Sequence, residues 1–168
     1  QETSAPTPGS YIRTHALLVG VDDYDSHANL INPVNDVRAI QAELRDVYGA
    51  GTHTLASPTR REFQEALHAL ADRDYGEQDQ LLVMFSGHGY FDERIKRGYL
   101  AFRDSRPLED DPYFESYVSH SEVREILERL DCEHVLLIVD SCFAGTLDPL
   151  IAMAPGARLV DDSYGLIP

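Results

Sequence analysis

Three unbroken apolar runs of strand length constrain this chain most: His15–Val21 (HALLVGV), Gln80–Phe85 (QLLVMF) and His134–Val139 (HVLLIV). A strand with one wet face alternates apolar and polar residues, whereas a strand covered on both faces does not. Runs without alternation therefore predict a mostly parallel central sheet sandwiched between helices. The intervening segments supply the helices. Val37, Ile40, Leu44, Val47 and Tyr48 recur at helical spacing from Asn35 onward, and Gly49 stops the helix. Thr59 and Glu62 form a capping-box pattern ahead of an apolar face of Phe63, Ala66, Leu67 and Leu70. Ser119 and Glu122 repeat that pattern ahead of Val123, Ile126, Leu127 and Leu130. Thr52–Ser57 is a short β-prone segment, and Gly98–Phe102 reads as a further strand. Strand alternates with helix, so the fold class is α/β.

The 168 residues are enough for one domain with its own core. Residues 1–10 are polar and carry two prolines, which predicts a flexible lead-in. Residues 11–146 hold the folded region, and residues 147–168 read as a loop. The chain begins at Gln1, which points to a processed piece of a longer protein. A formal net charge of −15 argues against nucleic acid and suits basic peptides better. Two cysteines are not a disulfide framework, and there is no clustered Cys/His set for structural zinc. No apolar run is long enough to span a membrane. The expected compartment is the cytoplasm, where a reactive thiol stays reduced.

Two of these runs lead into unusual stretches. Ser86–Tyr90 (SGHGY) follows the second run, and Asp140–Gly145 (DSCFAG) follows the third. Ligands of open parallel sheets bind beyond the carboxyl ends of the strands. If the two strands are neighbours, His88 and Cys142 leave the same edge of the sheet. A free cysteine is mostly thiol at neutral pH, and a nearby imidazole can take its proton and later protonate a leaving amine. The oxyanion of the tetrahedral intermediate needs preorganised donors, for which the amides of Gly89 and Cys142 are the candidates. Singly, each stretch is more simply read as a polar loop histidine or a small buried cysteine. Together, in this order and 54 residues apart, they favour catalysis.

With HALLVGVDDY, LINPVNDVRAI, LLVMFSGHGY and VLLIVDSCFAG, residues 14–146 resemble the caspase-like cysteine peptidases, in particular the metacaspase and prokaryotic caspase-homologue branch. In caspases the histidine lies about 50 residues before the cysteine. The resemblance implies a three-layer fold and a His88/Cys142 dyad with no required acidic third member. Animal caspases cut after Asp and carry Gln two residues before the cysteine; here that residue is Asp140, and Leu30 stands where a pocket arginine is expected. In metacaspases the matching acidic positions line the pocket, which implies that Asp36 and Asp140 bind a substrate Arg or Lys.

The resemblance also implies that this chain is the larger portion of a two-part fold. A smaller portion, from a second chain or further sequence, would complete the sheet and the groove. Arg158 is a candidate self-cleavage site. Some metacaspases respond to calcium, but Glu109-Asp110-Asp111 is an ordinary acidic loop pattern, and no metal or other cofactor is assigned. Cys132 reads as structural. His15, His27, His53, His68, His120 and His134 read as surface or core residues, and Tyr90 and Phe91 as groove walls or packing. The functional expectation is a regulated endopeptidase acting on protein or peptide substrates, serving cell death or defence. The alternatives are an Asp-specific caspase and a non-catalytic scaffold. A nucleotide-binding domain is disfavoured, since no phosphate-binding glycine loop is present.

Overall fold

The computed structural model describes residues 12–141. Its elements run β1 (Thr14–Gly20), α1 (Pro33–Tyr48), β2 (Gly51–Ala56), α2 (Arg60–Ala69), β3 (Gln80–Ser86), β4 (Gly89–Asp92), β5 (Arg97–Leu100), β6 (Val118–Ser119), α3 (His120–Leu127) and β7 (His134–Asp140). The main sheet is parallel, in the order β2-β1-β3-β7. The three apolar runs are thus its three adjacent strands β1, β3 and β7.

Parallel register divides their side chains between two faces. Leu17, Val19, Leu81, Val83 and Phe85 pack with Phe63 and Leu67 of α2 and Val123 and Leu127 of α3. Ala16, Leu18 and Met84 face the other way, onto Val37 of α1, with Ile40 and Leu44 partly buried beside them. Leu17 and Leu67 are fully buried, so truncation of either to Ala would cost about 2–5 kcal/mol.

The capping box of α2 is complete. The Thr59 hydroxyl accepts from Glu62 N, and the Glu62 carboxylate accepts from Thr59 N at 2.7 Å. The matching pattern at α3 is only half made. Ser119 accepts from Glu122 N, but the Glu122 carboxylate instead accepts from Gln64 of α2 at 2.6 Å. A link between helices has displaced the local bond.

Two expectations need correction, both on the α1 side of the main sheet, while the strand expected over Gly98–Phe102 forms as β5 and joins β4 and β6 in a separate antiparallel sheet. Its Leu100, and Phe102 just beyond it, pack under the main sheet, with Phe102 stacked on Phe63 at 4.7 Å. β7 is not covered on both faces: it is an edge strand among the described residues, with Leu136 and Ile138 exposed on the α1 side. Val47 and Tyr48 of α1 are exposed too, although their spacing predicts burial. Leu44 and Tyr48 instead line an open depression of about 340 Å³ over the first halves of β3 and β7. On that side α1 packs over β1 and β3 and leaves Leu136 and Ile138 of β7 exposed.

Candidate functional site

The site begins where the main strands end. Ser86, the last residue of β3, pairs in register with Asp140, the last of β7. The Ser86 hydroxyl donates to the Asp140 carboxylate at 3.1 Å, and Gly87 N donates to the Asp140 carbonyl at 3.2 Å. The two motif-bearing strands are therefore neighbours with aligned ends. Ser141 closes the described chain, so Cys142, as nucleophile and as oxyanion donor, lies outside the described residues, as does Arg158.

His88 is half-buried and held at two atoms. Its backbone N–H donates to the Tyr24 hydroxyl at 2.8 Å, and its ring Nε2 lies 2.8 Å from the Ala28 carbonyl. A carbonyl can only accept, so Nε2 carries the proton. A neutral His88 ring then presents Nδ1 as a bare acceptor, the form a general base requires. The Tyr24 ring lies 4.7 Å from the His88 ring, and burial pushes the Tyr24 phenol well above its ordinary range, keeping it neutral.

Gly87 is required by this arrangement. A Cβ there would lie 2.8 Å from the Tyr24 hydroxyl and 3.0 Å from Phe85 Cζ. Gly89, buried, opens β4. Ala101 N donates to the His88 carbonyl at 3.0 Å, which makes those two the hydrogen-bonded pair of the ladder. Gly89, opposite Leu100, consequently turns its N–H away from β5.

The loop between β1 and α1 supplies Tyr24 and Ala28, and several bonds shape it. Ser57, buried at φ 46°, accepts from Asp22 N at 3.1 Å and Asp23 N at 3.0 Å through its hydroxyl. Leu30 N donates to the Asp22 carbonyl, and Val34 N to the Asp22 carboxylate. At the end of β1, a Cβ on Gly20 would sit 2.6 Å from the Pro33 carbonyl. That close approach sets the start of α1 at the same sheet edge.

Asp36 lies exposed in the first turn of α1, where the helix dipole favours a carboxylate. Asp140 is also exposed. Leu30 is half-buried against the main core. Asp111 is not presented for a cation. Buried, it accepts from Glu115 N at 2.8 Å and from Ser116 N and Oγ at 2.7 and 2.6 Å. Burial pushes its carboxyl upward, but the Ser116 hydrogen bonds outweigh this and hold it below its usual value.

Tyr24, Ala28 and Ser57 were not among the sequence candidates. Tyr24 stands inside the GVDDY stretch and so had a signal; the carbonyl of Ala28 and the hydroxyl of Ser57 had none. His27, read as an ordinary surface or core residue, packs beside His88 with ring centroids 6.4 Å apart. Cys132 is half-buried against the core, in line with a structural reading, and burial raises its thiol above the ordinary value.

No curated protein matches this sequence. Among solved structures, the Drosophila initiator caspase Dronc is similar, with a TM-score of 0.56 and 15% identity over 75% of this chain. The match takes in 47% of that structure, so the chain spans about half its length, and the likeness speaks to the fold. The family model for the caspase domain matches residues 13–163, nearly the whole sequence. The chain belongs to the caspase-domain family of cysteine peptidases.

Proposed function

We propose that this chain is the larger, catalytic portion of a cysteine endopeptidase that cleaves after Arg or Lys. The observation that carries this reading is the Ala28 carbonyl on Nε2 of His88. It leaves Nδ1 free to take a proton, at a sheet edge where the neighbouring strand ends two residues before Cys142. In the proposed reaction the Cys142 thiol gives its proton to His88, and the thiolate attacks the scissile carbonyl. The amides of Gly89 and Cys142 stabilise the oxyanion. The protonated His88 then donates to the leaving amine, and water, deprotonated by His88, hydrolyses the thioester and restores the thiol.

Asp36 and Asp140 are the proposed acidic wall for the substrate cation. Both are exposed carboxylates on elements that meet at the carboxyl end of the sheet, and two carboxylates suit a guanidinium or ammonium group. A smaller portion completing the sheet is supported by the exposed Leu136 and Ile138 on β7. Arg158 remains the proposed site of self-cleavage between the portions, as expected of a zymogen. Regulated proteolysis in cell death or defence is the proposed setting, by kinship with the family, and the cytoplasm the proposed compartment. No described helix is long and apolar enough to cross a membrane.

Fluorogenic peptides ending in Arg, Lys or Asp test the proposal, with Cys142→Ala and Asp36→Lys/Asp140→Lys variants as controls. Cleavage after Arg or Lys that both variants lose is the expected result. Cleavage after Asp would remove Asp36 and Asp140 from the pocket; silence on all three peptides would mean either a missing activator or a scaffold, which thiol labelling of Cys142 against Cys132 separates.

A further inference from the structure

The Ala28 carbonyl that orients His88 sits on an exposed stretch, and Asp25, Ser26 and Ala28 all face solvent. The exception is His27. Its Nδ1 lies 3.1 Å from the Tyr90 hydroxyl and its Nε2 3.1 Å from the Tyr117 hydroxyl. Tyr24, Tyr90 and Tyr117 surround the ring at 6.0, 5.5 and 6.1 Å.

The direction of these bonds follows from one end. The Tyr117 hydroxyl donates to the Arg106 carbonyl at 2.6 Å, which commits its only proton. It can therefore only accept from His27, so Nε2 of His27 carries a proton. With Nε2 donating to Tyr117, a neutral His27 ring has Nδ1 free to accept from Tyr90; burial, and after it the neighbouring His88, lowers the His27 basicity against the Arg106 and Ser105 carbonyls, which raise it. The chain Tyr90→His27→Tyr117→Arg106 has a single polarity. It ties the loop tip to β4 and to the segment leading into β6.

We infer that His27 is a positioning residue: by fastening to Tyr90 and Tyr117, it holds the adjacent Ala28 carbonyl on Nε2 of His88 and so fixes the tautomer His88 needs as a base. The inference rests on the proposed role of His88. A ring of similar shape without nitrogens, in His27→Phe, keeps the packing and removes both bonds. Gln carries one donor and one acceptor and can restore them.

Nitrogen-resolved NMR of the histidine rings in the full chain reads the His88 tautomer directly, with no need for turnover. Wild type should show a protonated Nε2 and a bare Nδ1 on His88. His27→Phe should populate both tautomers, and His27→Gln should return most of the wild-type signal. With peptide substrate, kcat should fall about tenfold to a hundredfold in His27→Phe while KM stays within about twofold, since positioning and not binding is lost. Should His27→Phe fail to fold, Tyr117→Phe removes one of the two anchors from the other side and should shift the His88 tautomer in the same direction. A folded variant whose His88 keeps the wild-type tautomer overturns the inference, whatever kcat does. A wild-type protein whose Cys142 alkylates no faster than Cys132, yet shows the tautomer change in His27→Phe, sinks the proposed function and leaves the positioning role standing.

Discussion

His120 is the first residue of α3, only 6% exposed, and neither ring nitrogen has a hydrogen-bond partner. The ring lies hard against β5: a Cβ added to Gly98 would come within 2.5 Å of its Nδ1. Burial alone lowers its pKa from 6.5 to about 4. The unfolded chain therefore binds this proton more readily than the folded one. The contribution to stability is complete above about pH 6.5 and is lost as pH falls toward 4. At about 1.4 kcal/mol for each pH unit, that drop is worth about 3 kcal/mol in full, and about 2 kcal/mol of it is gone by about pH 5. Replacing His120 with Leu removes the titration while nearly conserving volume. Urea unfolding of both proteins between about pH 7.5 and 5 isolates the difference, because other groups titrate in each. Wild type should lose about 2 kcal/mol more than His120→Leu over that range. Parallel pH profiles for the two proteins would refute the reasoning that burial without a partner dominates this histidine.

Other predictions concern the loops around His88. Gly87→Ala should drive Tyr24 off the His88 amide, lowering stability by about 1–3 kcal/mol in thermal melts and reducing peptide cleavage. Tyr24→Phe removes the acceptor for that amide and should cost about 1–3 kcal/mol in urea unfolding. Ser57→Ala leaves two backbone donors, Asp22 and Asp23, without their acceptor and keeps the positive φ, so a loss of about 2 kcal/mol is expected by the same assay.

The main sheet and its helices were legible because burial writes directly into residue type. The runs HALLVGV, QLLVMF and HVLLIV became three adjacent strands, and the Thr59 capping box was found intact. Where the reading failed, a partner distant in sequence decided the outcome. Glu122 left its own cap for Gln64, 58 residues away. The small antiparallel sheet rests on β4, four residues long, and β6, only two, too short to announce themselves by period. The uniform apolar character of β7 predicted two covered faces, yet Leu136 and Ile138 are exposed.

The place of His88 just past the end of β3 was legible from its flanking glycines, and a Cβ at one of them, Gly87, would crowd Tyr24 and Phe85. The groups that hold His88 were not legible. A backbone carbonyl at Ala28 has no side-chain signal, and His27 stands in a polar loop where histidine is unremarked. Both gain meaning only when the β1–α1 loop folds over β4, about 60 residues further along the chain.

The central claim is that His88 activates the thiol of Cys142. Alkylation of the native protein by iodoacetamide, with the modified cysteine identified by mass and followed across pH, tests it most directly. Cys132 serves as the internal control, since burial raises its thiol above the ordinary value. Cys142 should react far faster than Cys132 near neutral pH, and His88→Ala should abolish that advantage. Equal rates at the two cysteines, or a fast Cys142 that is indifferent to His88→Ala, would contradict the account.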